Sequence, residues 1–121
     1  MKTILLIEDN EQNRYLATYL LEKNGYRVHE AVDGPTGIEM ARALKPDLIL
    51  LDIQLPSMDG YQVARELRRE DILSQTPVVA VTSYAMGGDR EKALEAGCTG
   101  YIEKPIDPDT FVQELARFQV S

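Results

Sequence analysis

Short runs of apolar residues alternate along the chain with stretches in which apolar residues recur at helical spacing. Three runs, at 3–7, 47–51 and 77–81, are continuous and rich in branched side chains. Runs of this kind are typical of strands that are buried on both faces of a sheet. Two weaker runs, at 26–31 and 100–102, predict edge strands, and the first of them alternates between apolar and polar residues.

Helix signals fill the gaps between these runs. Asn10 predicts the start of a first helix, because its side chain can accept a hydrogen bond from a free backbone N–H there. Gly25 stands where a glycine commonly ends a helix. Leu16 and Leu20, spaced i and i+4, are predicted to face the core. Four further helix starts are predicted at Gly34-Pro35, Asp59-Gly60, Asp89 and Asp107-Pro108.

The strict alternation of five strands with five helices predicts the fold class. Such a chain forms an α/β domain, with parallel strands and crossover helices on both faces of the sheet. The three apolar strands belong in the centre, and right-handed crossovers then favour the strand order 2-1-3-4-5. We therefore expect a (βα)5 doubly wound, five-stranded parallel sheet of the flavodoxin-like type. No linker or repeat interrupts the pattern, so a single domain over residues 1–121 is predicted.

Length, charge and cysteine usage narrow the function classes. The chain has 121 residues, and 13 Lys and Arg against 20 Asp and Glu give a net charge of −7. An acidic surface argues against nucleic-acid binding, which needs basic residues. No apolar run approaches the roughly 20 residues of a membrane span, so we expect no membrane insertion. Cys98 is the only cysteine, which excludes an internal disulfide and favours a reducing cytoplasm.

Polar residues follow the strands at the edge where ligands bind in sheets of this type. That edge lies at the carboxyl ends of the strands, where the strand order reverses. Strand 1 ends in Glu8 and Asp9, strand 3 in Asp52, strand 4 in Thr82, and strand 5 near Lys104. The predicted fold therefore brings three carboxylates, one hydroxyl and one ammonium group together.

This set of groups is typical of phosphoryl transfer. Oxygen ligands without histidine or thiolate favour Mg²⁺, or Mn²⁺, over zinc or copper. A lysine and a threonine can hold phosphoryl oxygens. No glycine-rich Walker loop is present, so the nucleophile must be a side chain, and a carboxylate can form an aspartyl-phosphate.

The chain resembles the receiver domain of two-component response regulators over essentially its whole length. The resemblance is carried by the order and spacing of four segments, at 7–10, 52–60, 81–83 and 104–105. The segment around Glu8-Asp9-Asn10 and Asn13 is most similar to stand-alone receivers of the cell-division regulator type and to receivers attached to hybrid sensor kinases.

The resemblance implies the phosphorylation and metal sites. Asp52 matches the aspartate that accepts the phosphoryl group. Glu8 and Asp9 match the acidic pair that holds Mg²⁺, with Asp9 as the direct ligand and Glu8 acting through water. Asp52 itself and the backbone carbonyl of Gln54 match further metal ligands.

The resemblance also implies a switch. Lys104 matches the lysine that pairs with a phosphoryl oxygen, and its bond to Pro105 resembles one that is cis in the family. Thr82 matches the hydroxyl that turns toward the phosphoryl group, and Tyr101 the aromatic residue that then fills the vacated space. Tyr84 departs from the family pattern because it is bulky. We expect it to gate the site and slow dephosphorylation by shielding the acyl phosphate from water.

The implied function is that of a signalling phospho-acceptor. The phosphoryl donor would be a histidine kinase or a histidine phosphotransfer protein. The readout would pass to a downstream protein target through the surface of the fourth helix, fifth strand and fifth helix. The resemblance implies a monomer or weak dimer that catalyses only its own phosphorylation and dephosphorylation.

The sequence leaves three alternative functions open. An Mg²⁺-dependent phosphatase usually has a second acid two residues after its nucleophile, where this chain has Gln54, and a cap that 121 residues hardly accommodate. A flavodoxin-like cofactor carrier needs a phosphate-binding loop after strand 1, where residues 8–11 (Glu-Asp-Asn-Glu) would repel a phosphate. A receiver that works without phosphorylation is the third, and the complete set of site residues argues against it.

Overall fold

Five parallel strands form one sheet within residues 2–55, 58–82 and 89–118, which are the residues that the computed structural model describes. The strands are β1 (Thr3–Ile7), β2 (Arg27–Ala31), β3 (Leu48–Asp52), β4 (Val78–Thr82) and β5 (Gly100–Glu103). Their order is β2-β1-β3-β4-β5, and every neighbouring pair is parallel. The predicted fold class and strand order are confirmed.

Five helices connect and follow the strands. They are α1 (Glu11–Lys23), α2 (Gly34–Leu44), α3 (Gly60–Arg68), α4 (Asp89–Glu95) and α5 (Phe111–Ala116), and a short 3-10 turn spans Asp71–Leu73. Asn10 and Asp59 cap α1 and α3 as predicted, because their side chains accept the backbone N–H groups of Asn13 and Gln62. Among the described helices, none is both long and apolar enough to cross a bilayer.

The two faces of the sheet pack into separate hydrophobic cores. Alternate residues of β1 point to opposite sides, so Leu5 and Ile7 enter one core while Ile4 and Leu6 enter the other. Helices α2, α3 and α4 cover the first core, and α1 and α5 cover the second. Strands β3 and β4 are buried along their whole length. The sheet is therefore a rigid support for the residues at its edge.

The buried face of α1 differs from the prediction by one position. The fully buried residues are Ala17 and Leu21, whereas Leu20 is half-buried against the core and Leu16 is only partly covered. Apolar and aromatic residues stand at neighbouring positions in this helix, so the sequence indicates the helical spacing of the buried stripe without fixing its phase. The small side chain of Ala17 suits the position where the helix meets the sheet.

The predicted start of the fifth helix is also early. Helix α5 begins at Phe111, after a turn in which Asp107 accepts the backbone N–H of Asp109 through its side chain at 2.9 Å. The main-chain carbonyl of Asp107 accepts the N–H of Phe111 at 2.9 Å. The Asp-Pro signal thus opens a capping turn, and the regular helix follows it.

Candidate functional site

The carboxyl ends of four strands meet at one edge of the sheet. Backbone hydrogen bonds continue beyond the strands there, since the N–H of Glu8 donates to Ala31 at 3.0 Å and the N–H of Lys104 donates to Thr82 at 2.8 Å. Asp52 is the last residue of β3 and pairs in register with Val81 of β4. The sheet itself therefore fixes the backbone of the residues that line this edge.

Lys104 lies between two buried carboxylates. Its Nζ atom is 3.2 Å from Oε1 of Glu8 and 3.2 Å from Oδ1 of Asp52. The Glu8 and Asp52 side chains are only 5% and 2% exposed, and the Lys104 side chain is 14% exposed. Charges removed from water in this way need close partners of opposite sign. One ammonium group neutralises only part of the negative charge of two carboxylates, so the pocket can accept a further cation.

Backbone donors support the same two carboxylates. The N–H of Asn10 donates to Oε2 of Glu8 at 3.2 Å, and the N–H of Gln54 donates to Oδ1 of Asp52 at 3.0 Å. Burial raises the pKa of Glu8 from 4.5 to about 7, and the hydrogen bond and negative charge of Asp52 act in the same direction. Lys104 and the N–H of Asn10 oppose this rise in pKa. Near neutral pH, Glu8 is therefore partly protonated, and a cation bound beside it would displace that proton.

The three carboxylates can converge on one ion. Glu8, Asp9 and Asp52 each offer an oxygen, and these oxygens all lie within 4.8 Å of one another. Asp9 is exposed while the other two are buried, so the group opens to solvent on one side. Hard oxygen donors with excess negative charge suit Mg²⁺, which takes one or two carboxylates and keeps several waters. The residues present therefore fit a magnesium ion.

Two further predicted residues lie on β4 and β5. Thr82 is buried at the end of β4, in register with Glu103. Tyr101 lies further back on β5, beside Ala80, where it is half-buried and its hydroxyl donates to Oε1 of Glu103 at 3.1 Å.

Two predictions concern the backbone and the gate of the site. The peptide bond between Lys104 and Pro105 is cis. Tyr84, expected to gate the site, lies outside the described residues.

Two residues for which the sequence predicted no role in the site also shape this edge. Gly60 begins α3 so close to the end of β3 that an added Cβ would lie 2.5 Å from Cα of Ile53 and 2.8 Å from the carbonyl oxygen of Asp52. Arg14 donates from Nη1 to the carbonyl oxygens of Glu8 and Asp9, at 3.0 and 2.9 Å. The sequence does contain a signal for Arg14. A basic residue near a helix N-terminus is unfavourable for the helix dipole, so its presence there indicates a role outside the helix.

Comparison with known proteins gives consistent matches in sequence. A family model for the response regulator receiver domain matches residues 4–116. The polar-differentiation response regulator DivK of Brucella anthropi is 40% identical over 117 residues, which cover 97% of this chain and 95% of that protein. DivK of Brucella ovis is 39% identical with the same coverage.

Solved structures agree with the sequence matches. The chemotaxis protein CheY4 of Vibrio cholerae superposes with a TM-score of 0.93 at 26% identity, covering 98% of both chains. The receiver domain of a sensor histidine kinase from Pseudomonas aeruginosa has a TM-score of 0.89 at 37% identity, covering 97% of this chain and 96% of that one. That structure has a magnesium ion coordinated in its active-site cleft.

Proposed function

Because this chain belongs to the response regulator receiver domain family of two-component signalling proteins, we propose that it accepts a phosphoryl group on Asp52 in an Mg²⁺-dependent reaction. One observation carries the proposal. The buried carboxylate of Asp52 lies 3.2 Å from the ammonium group of Lys104, within a cluster of three carboxylates whose oxygens can meet at one cation. In the described part of the chain, Glu8, Asp9 and Asp52 form the only group of three or more potential metal-ligating side chains.

Four groups would hold the magnesium ion. They are the side chains of Glu8, Asp9 and Asp52 and the backbone carbonyl of Gln54. The backbone N–H of Gln54 donates a hydrogen bond to Asp52, which holds the two residues together. When bound, the ion offsets the negative charge of the carboxylates and of the incoming phosphoryl group. The Pseudomonas aeruginosa receiver, which has magnesium in its cleft, supports this assignment by similarity.

The chemistry then rests on Asp52 and Lys104. One oxygen of the Asp52 carboxylate attacks phosphorus, and the phosphorus–nitrogen bond of a phosphohistidine breaks. The departing imidazole keeps the bonding electrons and takes a proton from water. Oxygen Oδ1 of Asp52 loses charge as the mixed anhydride forms, so Lys104, which pairs with it beforehand, is free to pair with a phosphoryl oxygen.

The new charge supplies the signal. A phosphorylated side chain carries roughly −1.5 to −2 charges at neutral pH, which attract the hydroxyl of Thr82 at the end of the neighbouring strand. Movement of Thr82 makes room for a rearrangement of Tyr101, which lies on β5 toward the core covered by α4. We infer that a downstream protein target reads this change on the surface formed by α4, β5 and α5.

The proposed donor is a histidine kinase or a histidine phosphotransfer protein. Both present a phosphohistidine, and both are the partners that a receiver domain implies. In this account the chain is a signalling acceptor that promotes only its own phosphorylation and dephosphorylation. Residue 54 is Gln where an aspartyl phosphatase usually has its second acid, which supports the signalling function over turnover of a separate substrate.

Intact-mass measurement after incubation with acetyl phosphate tests the proposal. With Mg²⁺ we expect the parent protein to gain one phosphoryl group, and with a chelator to gain none. Asp52→Asn should gain none in either condition. The matched control is Asp47→Asn, which makes the same change at an exposed aspartate beside the opposite end of β3 and should behave like the parent. An equal gain in Asp52→Asn would contradict the assignment.

A further inference from the structure

Arg14 holds the segment that carries two of the proposed metal ligands. Its Nη1 atom donates to the carbonyl oxygen of Glu8 at 3.0 Å and to that of Asp9 at 2.9 Å. Both residues lie in the segment between the end of β1 and the start of α1. The backbone N–H of Arg14 donates to Asn10 at 2.9 Å, so the side chain is anchored in the first turn of the helix.

A second set of contacts fixes the guanidinium group itself. Its Nε atom lies 3.5 Å from Oε1 of Glu30, and the hydroxyl of Thr18 donates to Oε2 of the same carboxylate at 2.6 Å. The Arg14 side chain is 17% exposed, whereas Glu30 on β2 is 39% exposed. The guanidinium group therefore connects α1, the edge strand β2 and the segment of Glu8 and Asp9, which we call the ligand loop.

We propose that Arg14 is a positioning residue that sets the Mg²⁺ affinity of the site by fixing the backbone of Glu8 and Asp9. The inference rests on the proposed function, because it assigns Arg14 a role toward that same site. Residues that orient metal ligands commonly have a strong effect on metal affinity, because a misdirected carboxylate binds the ion poorly.

The sign of the effect separates this role from a simple charge effect. A guanidinium group near a cation site repels the cation, so removing its charge would tighten Mg²⁺ binding. Removing the hydrogen bonds that fix the backbone of Glu8 and Asp9 would weaken Mg²⁺ binding instead. The two explanations predict opposite changes for the same substitution.

The test is a calorimetric titration of the unphosphorylated protein with MgCl₂. Arg14→Met keeps the length of the apolar stem and removes the donors, and we expect about 10-fold weaker Mg²⁺ binding. Arg14→Lys keeps the charge and can reach a carbonyl, but it loses the contact with Glu30, so it should recover part of the affinity. The matched control is Arg69→Met, which removes the same charge from the C-cap residue of α3, whose side chain is 75% exposed.

Unchanged or tighter Mg²⁺ binding by Arg14→Met, relative to Arg69→Met, would overturn the inference. Equal affinity of Arg14→Lys and the parent would also overturn it, because the guanidinium contacts with both carbonyls and with Glu30 would then be dispensable. Thermal unfolding in a chelator checks that each variant is folded. If Arg14→Met does not fold, Arg14→Lys and Glu30→Gln carry the test, with a smaller loss expected for both.

Phosphorylation by acetyl phosphate provides a second readout. Arg14→Met should need more Mg²⁺ for half of the maximal rate, while its rate at saturating Mg²⁺ approaches that of the parent. A lower saturating rate with an unchanged Mg²⁺ requirement would contradict the positioning role. Failure of the proposed function is distinguishable, because the parent would then bind Mg²⁺ in an Arg14-dependent way without gaining a phosphoryl group at Asp52.

Discussion

At the scale of single residues, the pocket depends on charges that folding has taken out of water. Glu8 and Asp52 are both almost fully buried, and Lys104 lies 3.2 Å from each of them. One ammonium group offsets only part of this negative charge, so the pocket holds a proton or attracts a cation. Burial and, after it, the neighbouring Asp52 carboxylate raise the pKa of Glu8, and the excess negative charge of the pocket also prepares the site for a divalent ion.

The raised pKa of Glu8 predicts how stability depends on pH. Glu8 titrates at 4.5 in the reference state and at about 7 in the folded protein, so the folded state binds the proton more tightly. Its contribution to stability is fully present below pH 4.5 and is lost as the pH rises through about 7. Each unit of pKa difference corresponds to about 1.4 kcal/mol.

Urea unfolding of the parent and of Glu8→Gln, in a chelator between pH 5 and 8, checks this prediction. Glu8→Gln keeps a neutral hydrogen-bonding side chain, so its stability should gain on that of the parent as the pH rises. A difference between the two proteins that stays constant over this range would show that Glu8 does not titrate there.

At the scale of secondary structure elements, the start of α3 packs directly against the end of β3. The N–H of Gly60 donates to the carbonyl of Ile53 at 2.9 Å, and a Cβ at position 60 would collide with the backbone of Asp52 and Ile53. Backbone atoms cannot move aside as the end of a flexible side chain can. Gly60 therefore lets a helix support the residue that carries the proposed chemistry.

Gly60→Ala should damage both stability and the site. We expect a loss of about 1–3 kcal/mol in the free energy of unfolding, since overpacking outweighs the better helix propensity of alanine. Mg²⁺ binding should weaken as well, because Asp52 must shift. The control is Gly25→Ala, where φ is +90° and no atom lies within 4 Å of the added Cβ.

Gly25→Ala introduces backbone strain far from the site, at a cost of about 1–2 kcal/mol. It should lower the unfolding free energy and leave Mg²⁺ binding intact. Calorimetric titration and urea unfolding of both variants distinguish the two effects. Equal Mg²⁺ affinity in Gly60→Ala and Gly25→Ala would contradict the role given to the contact between α3 and β3.

The elements also show what the sequence can and cannot predict. Continuous apolar runs located the central strands to within one residue, because burial on both faces leaves little room for polar side chains. Leu20 packs against the core as predicted, but the sequence did not identify Ala17 and Leu21 as the most buried residues of α1, since Leu16 and Leu20 are as apolar as the residues that the sheet covers. The contacts of Arg14 and Gly60 depend on distances between elements, which the order of residues does not contain.

At the scale of the whole molecule, the sheet topology brings residues that are distant in the sequence together in one site. Residues 8, 52 and 104 lie far apart in the chain, and the order β2-β1-β3-β4-β5 brings their strand ends to one edge. Three of the 20 acidic residues of the chain meet at this edge. Binding of a cation at this edge should therefore be linked to the stability of the entire fold.

Magnesium should raise the melting temperature. At ten times its dissociation constant, a ligand that binds only the folded state adds about 1.4 kcal/mol of stability. Asp9→Asn removes one of the three carboxylates without disturbing the buried pair, so most of this gain should disappear. Thermal unfolding with MgCl₂, against KCl of equal ionic strength, makes the comparison. A similar gain in parent and variant would place the stabilising ion elsewhere.

The most direct test of the central claim identifies the residue that carries the phosphoryl group. Hydride reduction of the phosphorylated protein converts an acyl phosphate side chain to an alcohol, and tandem mass spectrometry of the peptides locates it. The account predicts a reduced side chain at Asp52 alone, formed only when Mg²⁺ is present. A reduced side chain at Glu8, at Asp9 or at a carboxylate outside the pocket would contradict it.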